Sequence, residues 1–153
     1  LARLQKAASR KVKGSRNRHK ANMKVAKQHA KTAKIRKDTL NKLTTHLAKN
    51  HSQVVIEDLN VSGMLANHCL AKSIADLGMY EFRRQLAYKC ELYGSELILA
   101  NRFFPSSKTC FCCGHIQEMP LKERIFNCQK CSSSIDRDLN AALNLKNQAF
   151  VVA

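Results

Sequence analysis

Two C-x-x-C pairs, Cys110/Cys113 and Cys128/Cys131, stand fourteen residues apart in the stretch CFCCGHIQEMPLKERIFNCQKC. Four thiolates at this spacing can close a tetrahedron around one Zn²⁺, each pair forming a tight turn and the intervening residues a hairpin. Gly114, directly after the first pair, suits the backbone of such a knuckle. An insert of this kind, set at residues 105–135, is too short for a core of its own and would draw its folding energy from the metal. A shell of four sulfurs leaves no position for water, so this zinc is expected to hold structure without catalysing. Cys112 lies inside the first pair and is read as a free thiol, with competition against Cys110 for the ion left open. His115 is read as an exposed turn histidine, and Cys69 lacks a partner at ligand spacing. Cys90 falls on a helical apolar stripe and is read as core.

Cysteines that bind metal rather than each other point to a reducing compartment. The amino terminus LARLQKAASRKVKG is basic with no apolar stretch behind it, and no apolar run reaches the ~18 residues of a membrane span. The chain is therefore expected in the cytoplasm and away from membranes. It opens on Leu1 rather than Met, which we read as the start of a piece of a longer sequence.

Residues 1–50 hold sixteen Lys and Arg against one acid, Asp38, and so carry +15 of the formal +16. A charge so localised is the footprint of a polyanion, because each phosphate neutralised releases a condensed counterion. Arg10, Lys11, Lys13, Arg16, Arg18, Lys20, Lys24 and Lys27 are the candidate contacts, with Arg83 and Arg84 a second basic site. The plainer alternative is a solvated helix face or a basic tail. An acidic small molecule would not need so many charges over so long a stretch.

Within residues 1–50, a basic helical piece over about 2–12 and a longer one from Ser15 to Asn50, separated at Gly14, predict a helical hairpin. Leu40, Leu43 and Leu47 repeat at helical spacing, but the apolar side is thin before Ile35. Residues 51–104 change character. Val54, Val55 and Ile56 are β-branched and continuous, which predicts a buried strand ending at Glu57 and Asp58. A loop through Leu70 leads to a helix in which Phe82, Leu86, Cys90 and Tyr93 form the apolar stripe, closed by Gly94. Leu97 to Ala100 supply a second strand. Strand, helix, strand is a crossover unit, so the strands should be parallel neighbours in an α/β fold. Beyond the cysteine insert, residues 136–153 are read as the last helix, from Asp138 to about Phe150, with Leu139, Ala142, Leu143 and Phe150 on one side.

The carboxyl ends of strands are where sites gather in open α/β sheets, and Glu57 and Asp138 are the acids so placed. Phosphodiester cleavage by two Mg²⁺ uses acidic oxygens of this sort, although two carboxylates are few for the task. Taken alone, a solvated acid at a strand end and a favourable charge at a helix start explain the pair equally well.

The segments VVIEDLNVSGM, AKSIADLGMYEFRRQLAYKCELYG, NRFFPSSKTCFCCGHIQEMPLKERIFNCQKC and IDRDLNAALNL together resemble the carboxyl-terminal half of the TnpB family, insertion-sequence proteins similar to type V CRISPR effectors. The resemblance extends over essentially the whole chain. It implies a RuvC-like domain of RNase H-like fold, here lacking its first strands, with the basic hairpin at the amino end and the zinc ribbon inserted. It further implies guide RNA and DNA as partners, catalytic Mg²⁺, Glu57 as second catalytic acid and Asp138 as third, with Asp136 the neighbour most easily confused with Asp138. The first catalytic Asp of the family lies on a strand upstream of this sequence. The expectation is therefore a portion of an RNA-guided endonuclease, inactive alone and completed by an upstream segment. The alternative is a non-catalytic zinc-ribbon protein that binds nucleic acid.

Overall fold

The structure, a computed structural model, describes residues 1–120 and 122–148. Two compact units divide it, Leu1–Thr45 and His46–Ala153. The predicted helical end at Phe150 lies outside the described residues.

The first unit holds α1 (Ala2–Ser9) and most of α2 (Arg16–Asn50). Gly14, at φ +82°, makes the break between them with a backbone that side-chain-bearing residues resist. Ser15 then caps α2, its Oγ accepting from the Arg18 N–H at 3.2 Å. The Arg18 guanidinium reaches back to the Lys11 carbonyl at 3.2 Å. Helix α2 is polar nearly all round, and even its apolar residues Met23 and Ile35 stand exposed. Such a helix has little core of its own to bury.

The second unit begins in the last turns of α2, where Leu47 and Ala48 join the core. Strand β1 (Gln53–Glu57) follows, then two short helices, α3 (Val61–Ala66) and α4 (Ala71–Leu77), in place of the expected loop. The Asn60 side chain starts α3 by accepting from the Gly63 N–H at 3.1 Å, so this glycine sits inside a helix. Gly78, at φ +68°, ends α4 and introduces α5 (Met79–Tyr93). Strand β2 (Glu96–Ala100) then pairs with β1 in parallel, in register from Gln53↔Glu96 to Glu57↔Ala100, as the crossover pattern predicts.

Leu86 and Cys90 of α5 pack with Val54 and Ala48, flanked by Phe82, Ile56 and Leu97. Tyr93, the last residue of the predicted stripe, is exposed instead. Its ring lies 4.9 Å from the Lys49 ammonium, an arrangement that favours the water-facing side of the core. Lys89 is buried on the same helix, and burial lowers its pKa from the ordinary lysine value.

The cysteine segment forms its hairpin in a different place from the one expected. Strands β3 (Ile125–Asn127) and β4 (Ser134–Asp136) pair antiparallel around the second cysteine pair, and a bridge between Thr109 and Ile116 encloses the first. Each C-x-x-C therefore occupies the tip of its own turn. Phe126, fully buried, and Met119 pack under Cys110 and Cys128. Strand β4 runs directly into α6 (Arg137–Gln148).

The buried face of α6 also departs from expectation. Leu139 is 53% exposed and Ala142 is exposed, while Asn140 and Asn144 are buried. Both asparagines turn toward the segment that enters the first cysteine turn. No helix among the described residues is long and apolar enough to cross a membrane.

Candidate functional site

The sulfurs of Cys110, Cys113, Cys128 and Cys131 all lie within 4.8 Å of one another. The pairs Cys110/Cys131 and Cys113/Cys128 are 3.7 and 3.6 Å apart. A disulfide would need about 2.05 Å. Ligands at about 2.3 Å around a tetrahedral Zn²⁺ sit about 3.8 Å from each other, which the cluster nearly matches. These four cysteines could hold a metal ion. Cys112 is exposed and outside the group, and His115 is half-buried rather than exposed.

Crowding four thiols makes their protons unequal. Cys128 is pulled down to about 6, foremost by the backbone N–H of Cys131, which stabilises its thiolate against the cost of burial. Cys131 is pushed up to about 12; the Ser133 N–H favours its thiolate, but burial and the thiols of Cys128, Cys113 and Cys110 together outweigh that. A bound cation would replace these shared protons and favour all four thiolates at once.

The second grouping is acidic. Glu57 ends β1 and Asp138 lies in the first turn of α6, and both line one cavity of about 480 Å³. Its remaining walls are largely apolar, from Val55, Ile56 and Leu59 across to Met79, Phe82 and Leu145, with Arg83 also lining it. Glu57 Oε1 accepts a 2.8 Å hydrogen bond from Ser106 Oγ. Asp58, the next residue, is held by the guanidinium groups of Arg83 and Arg102. The Arg83 hydrogen bond, and after it Arg102, keep the Asp58 carboxyl below its ordinary value against the opposing effect of burial. Among the described residues Asp58, and not Glu57, is the strand-end acid that forms ion pairs.

The two aspartates of DRDLN have separate geometry. Asp136 Oδ1 accepts from the backbone N–H of Asp138 at 2.9 Å and of Leu139 at 3.0 Å, the arrangement of a helix cap. Asp138 faces the cavity. Replacing Asp136 by Ala should therefore cost about 1 kcal/mol of stability, with Asn retaining most of it. Thermal unfolding followed by circular dichroism measures this, and equal midpoints for the Ala variant and the parent would remove the cap from the account.

Asn140 and Asn144 were missed by sequence reasoning. Asn140 accepts from the Phe111 N–H at 3.0 Å and donates to the Thr109 carbonyl at 2.7 Å. Asn144 donates to the carbonyls of Ser106 and Thr109 at 2.8 and 2.7 Å. An amide repeated four residues apart, on the buried face of a helix, is the only local signal of this role.

Of the basic candidates, Arg10, Lys11, Lys13, Arg16, Lys20, Lys24 and Lys27 are exposed in the first unit, and Arg18 is half-buried. Arg83 and Arg84 lie in the second unit and are engaged, Arg83 with Asp58 and Arg84 with both oxygens of Glu81 at 2.7 Å.

Comparison with known proteins divides the chain into two matched segments. Residues 1–68 match the family OrfB_IS605, described as "Probable transposase", and residues 80–145 match the Cas12f1-like TNB domain. A protein of Streptomyces pristinaespiralis, provisionally named RNA-guided DNA endonuclease, is 47% identical over 146 residues, which are 95% of this chain and 36% of the relative. InsQ of Escherichia coli K12, with the same provisional name, is 42% identical over 161 residues, covering 95% of this chain and 40% of that protein. TnpB-like protein L79 of Acanthamoeba polyphaga mimivirus is 29% identical over 137 residues, covering 86% and 26%. Among solved structures, Cas12f1 in complex with sgRNA and target DNA superposes with a TM-score of 0.62 at 23% identity, over 79% of this chain and 36% of that one. That likeness is one of fold. The chain spans about 26–40% of the length of the curated relatives named here.

Proposed function

From the likeness of this chain to proteins provisionally named RNA-guided DNA endonuclease and to a TnpB-like protein, we propose that it works as part of an RNA-guided DNA endonuclease. In this reading the second unit is a partial RNase H-like, RuvC-like domain, and Glu57 and Asp138 are two of its cutting acids. One observation carries it. Glu57 and Asp138 are eighty-one residues apart in sequence, yet they line the same cavity, at the carboxyl end of a parallel strand.

Carboxylate oxygens suit a hard cation such as Mg²⁺, and when bound it would activate water and stabilise the leaving oxygen. Glu57 and Asp138 would hold it. A pair of such ions asks for more oxygens than two side chains offer, so the reading includes a further acid from another segment. The four cysteines would hold a structural Zn²⁺, and the sulfur spacing supports that fit. A purely nucleic-acid-binding protein would give no reason for two acids to share a cleft.

The test is a chimera in which this chain replaces the matching segment of the Streptomyces relative. Guided, Mg²⁺-dependent cleavage of a target plasmid is expected. A chimera that folds and binds RNA and target but leaves DNA intact would sink the proposal.

The exposed cations of α2 would meet phosphate. Arg16, Lys20, Lys24 and Lys27 recur at helical spacing and share one face of α2. Replacing these four by Gln should flatten the dependence of log K on log salt, by about 0.9 for each phosphate no longer neutralised. A filter-binding series at several salt concentrations measures the slope. If it is unchanged, the binding surface lies elsewhere.

A further inference from the structure

Glu57 is exposed at the end of β1, where an unsupported glutamate would sample many rotamers. The hydrogen bond from Ser106 Oγ restricts that freedom by engaging Oε1, which would leave Oε2 for a cation. Ser106 is itself fixed. It is 5% exposed, and its carbonyl accepts from Asn144 Nδ2 at 2.8 Å. The same amide holds the Thr109 carbonyl, so the turn carrying Ser106 is pinned at two points. Asn144 stands six residues after Asp138 on α6. The carboxylate on the strand is thereby tied, through Ser106 and Asn144, to the helix that carries the other carboxylate.

We infer that Ser106 is a positioning residue for Glu57, orienting its carboxylate toward a divalent cation shared with Asp138, and that Asn144 holds Ser106 in place for this task. The inference rests on the nuclease reading of the cleft. Its physical basis is general: a ligand oxygen binds metal well when its partner oxygen is held by a fixed hydrogen-bond donor, and losing such a donor weakens affinity about tenfold or more. A serine serving only to pin its own loop would act first on stability, and threonine's hydroxyl would not restore any metal affinity lost with it.

The test is Mn²⁺ binding to the chimera, which supplies the further acid and serves as the parent here, with free ion read by electron paramagnetic resonance, alongside zinc content and thermal midpoint. Ser106→Ala is expected to bind Mn²⁺ about tenfold more weakly, with zinc unchanged, and Ser106→Thr, which keeps the hydroxyl, to bind near the parental level. In the chimera, Ser106→Ala should slow cleavage most at low Mg²⁺ and recover as Mg²⁺ is raised. Parental Mn²⁺ affinity in Ser106→Ala, with binding lost in Glu57→Ala, overturns the positioning role and leaves the cleft reading standing. A fall in midpoint and affinity for Ala and Thr alike assigns Ser106 to the loop and overturns it too. Mn²⁺ binding that is absent from the parent, or indifferent to Glu57→Ala, removes the metal reading of the cleft and this inference with it.

Discussion

Stripping metal from the cysteine cluster with a strong chelator is expected to unfold residues 105–135. Beneath the four thiols the packed core is small, chiefly Phe126 and Met119, whereas a structural Zn²⁺ contributes on the order of 10 kcal/mol in isolated zinc modules. Purified protein should carry one zinc per chain by elemental analysis. Cys110→Ser or Cys131→Ser should lose it, and Cys112→Ser should keep it, since Cys112 is exposed and outside the cluster. Zinc lost from Cys112→Ser would show that the ligand set is different. Acid should act in the same direction as chelation. Binding needs all four thiolates, and a thiol such as Cys131, pushed up to about 12 without metal, takes its proton back as pH falls.

Glu57→Ala or Asp138→Ala, placed in the chimera, is expected to lower cleavage by more than about a hundredfold, because a cation displaced by even 1 Å loses that much. Zinc content and salt-dependent binding should remain. Asp136→Asn is the control, since it keeps an oxygen on the Asp138 and Leu139 amides and so preserves the cap. Cleavage that survives Glu57→Ala but fails in Asp136→Asn would reverse the assignment of the two aspartates and remove Glu57 from the chemistry.

The elements that the sequence revealed are those with a dense local pattern. Val54, Val55 and Ile56 are consecutive and β-branched, Leu86 and Cys90 recur at helical spacing before Gly94, and the resulting strand–helix–strand order dictates the parallel pairing. Helices α3 and α4 escaped because they are only six and seven residues long, and a glycine interrupts the first. The inward face of α6 was misread for a different reason. Apolar periodicity detects faces buried by the hydrophobic effect, and this one is buried by amides that satisfy backbone groups, with Leu139 left outside. The cysteine spacing pointed to one cluster, but the positions of its hairpins depended on cross-strand pairing. Glu57 and Asp138 were singled out by their places at a strand end and a helix start, but only family likeness gave them catalytic roles, because nothing in the residues around either refers to the other. Ser106, forty-nine residues from Glu57, had no local signature at all.

Asn140 and Asn144 grip the turn entering the first cysteine pair at the Ser106 and Thr109 carbonyls and the Phe111 amide, all main-chain atoms. Every residue type supplies that carbonyl, and every residue but proline supplies that amide. Apart from its cysteines and Ser106, the placement of this turn is therefore largely indifferent to the exposed side chains it displays. Phe103 and Phe111, both exposed nearby, can be exchanged without moving the scaffold beneath them. Evolution, or a designer, is free to rewrite what this surface touches while the acids and thiols on either side keep their stations.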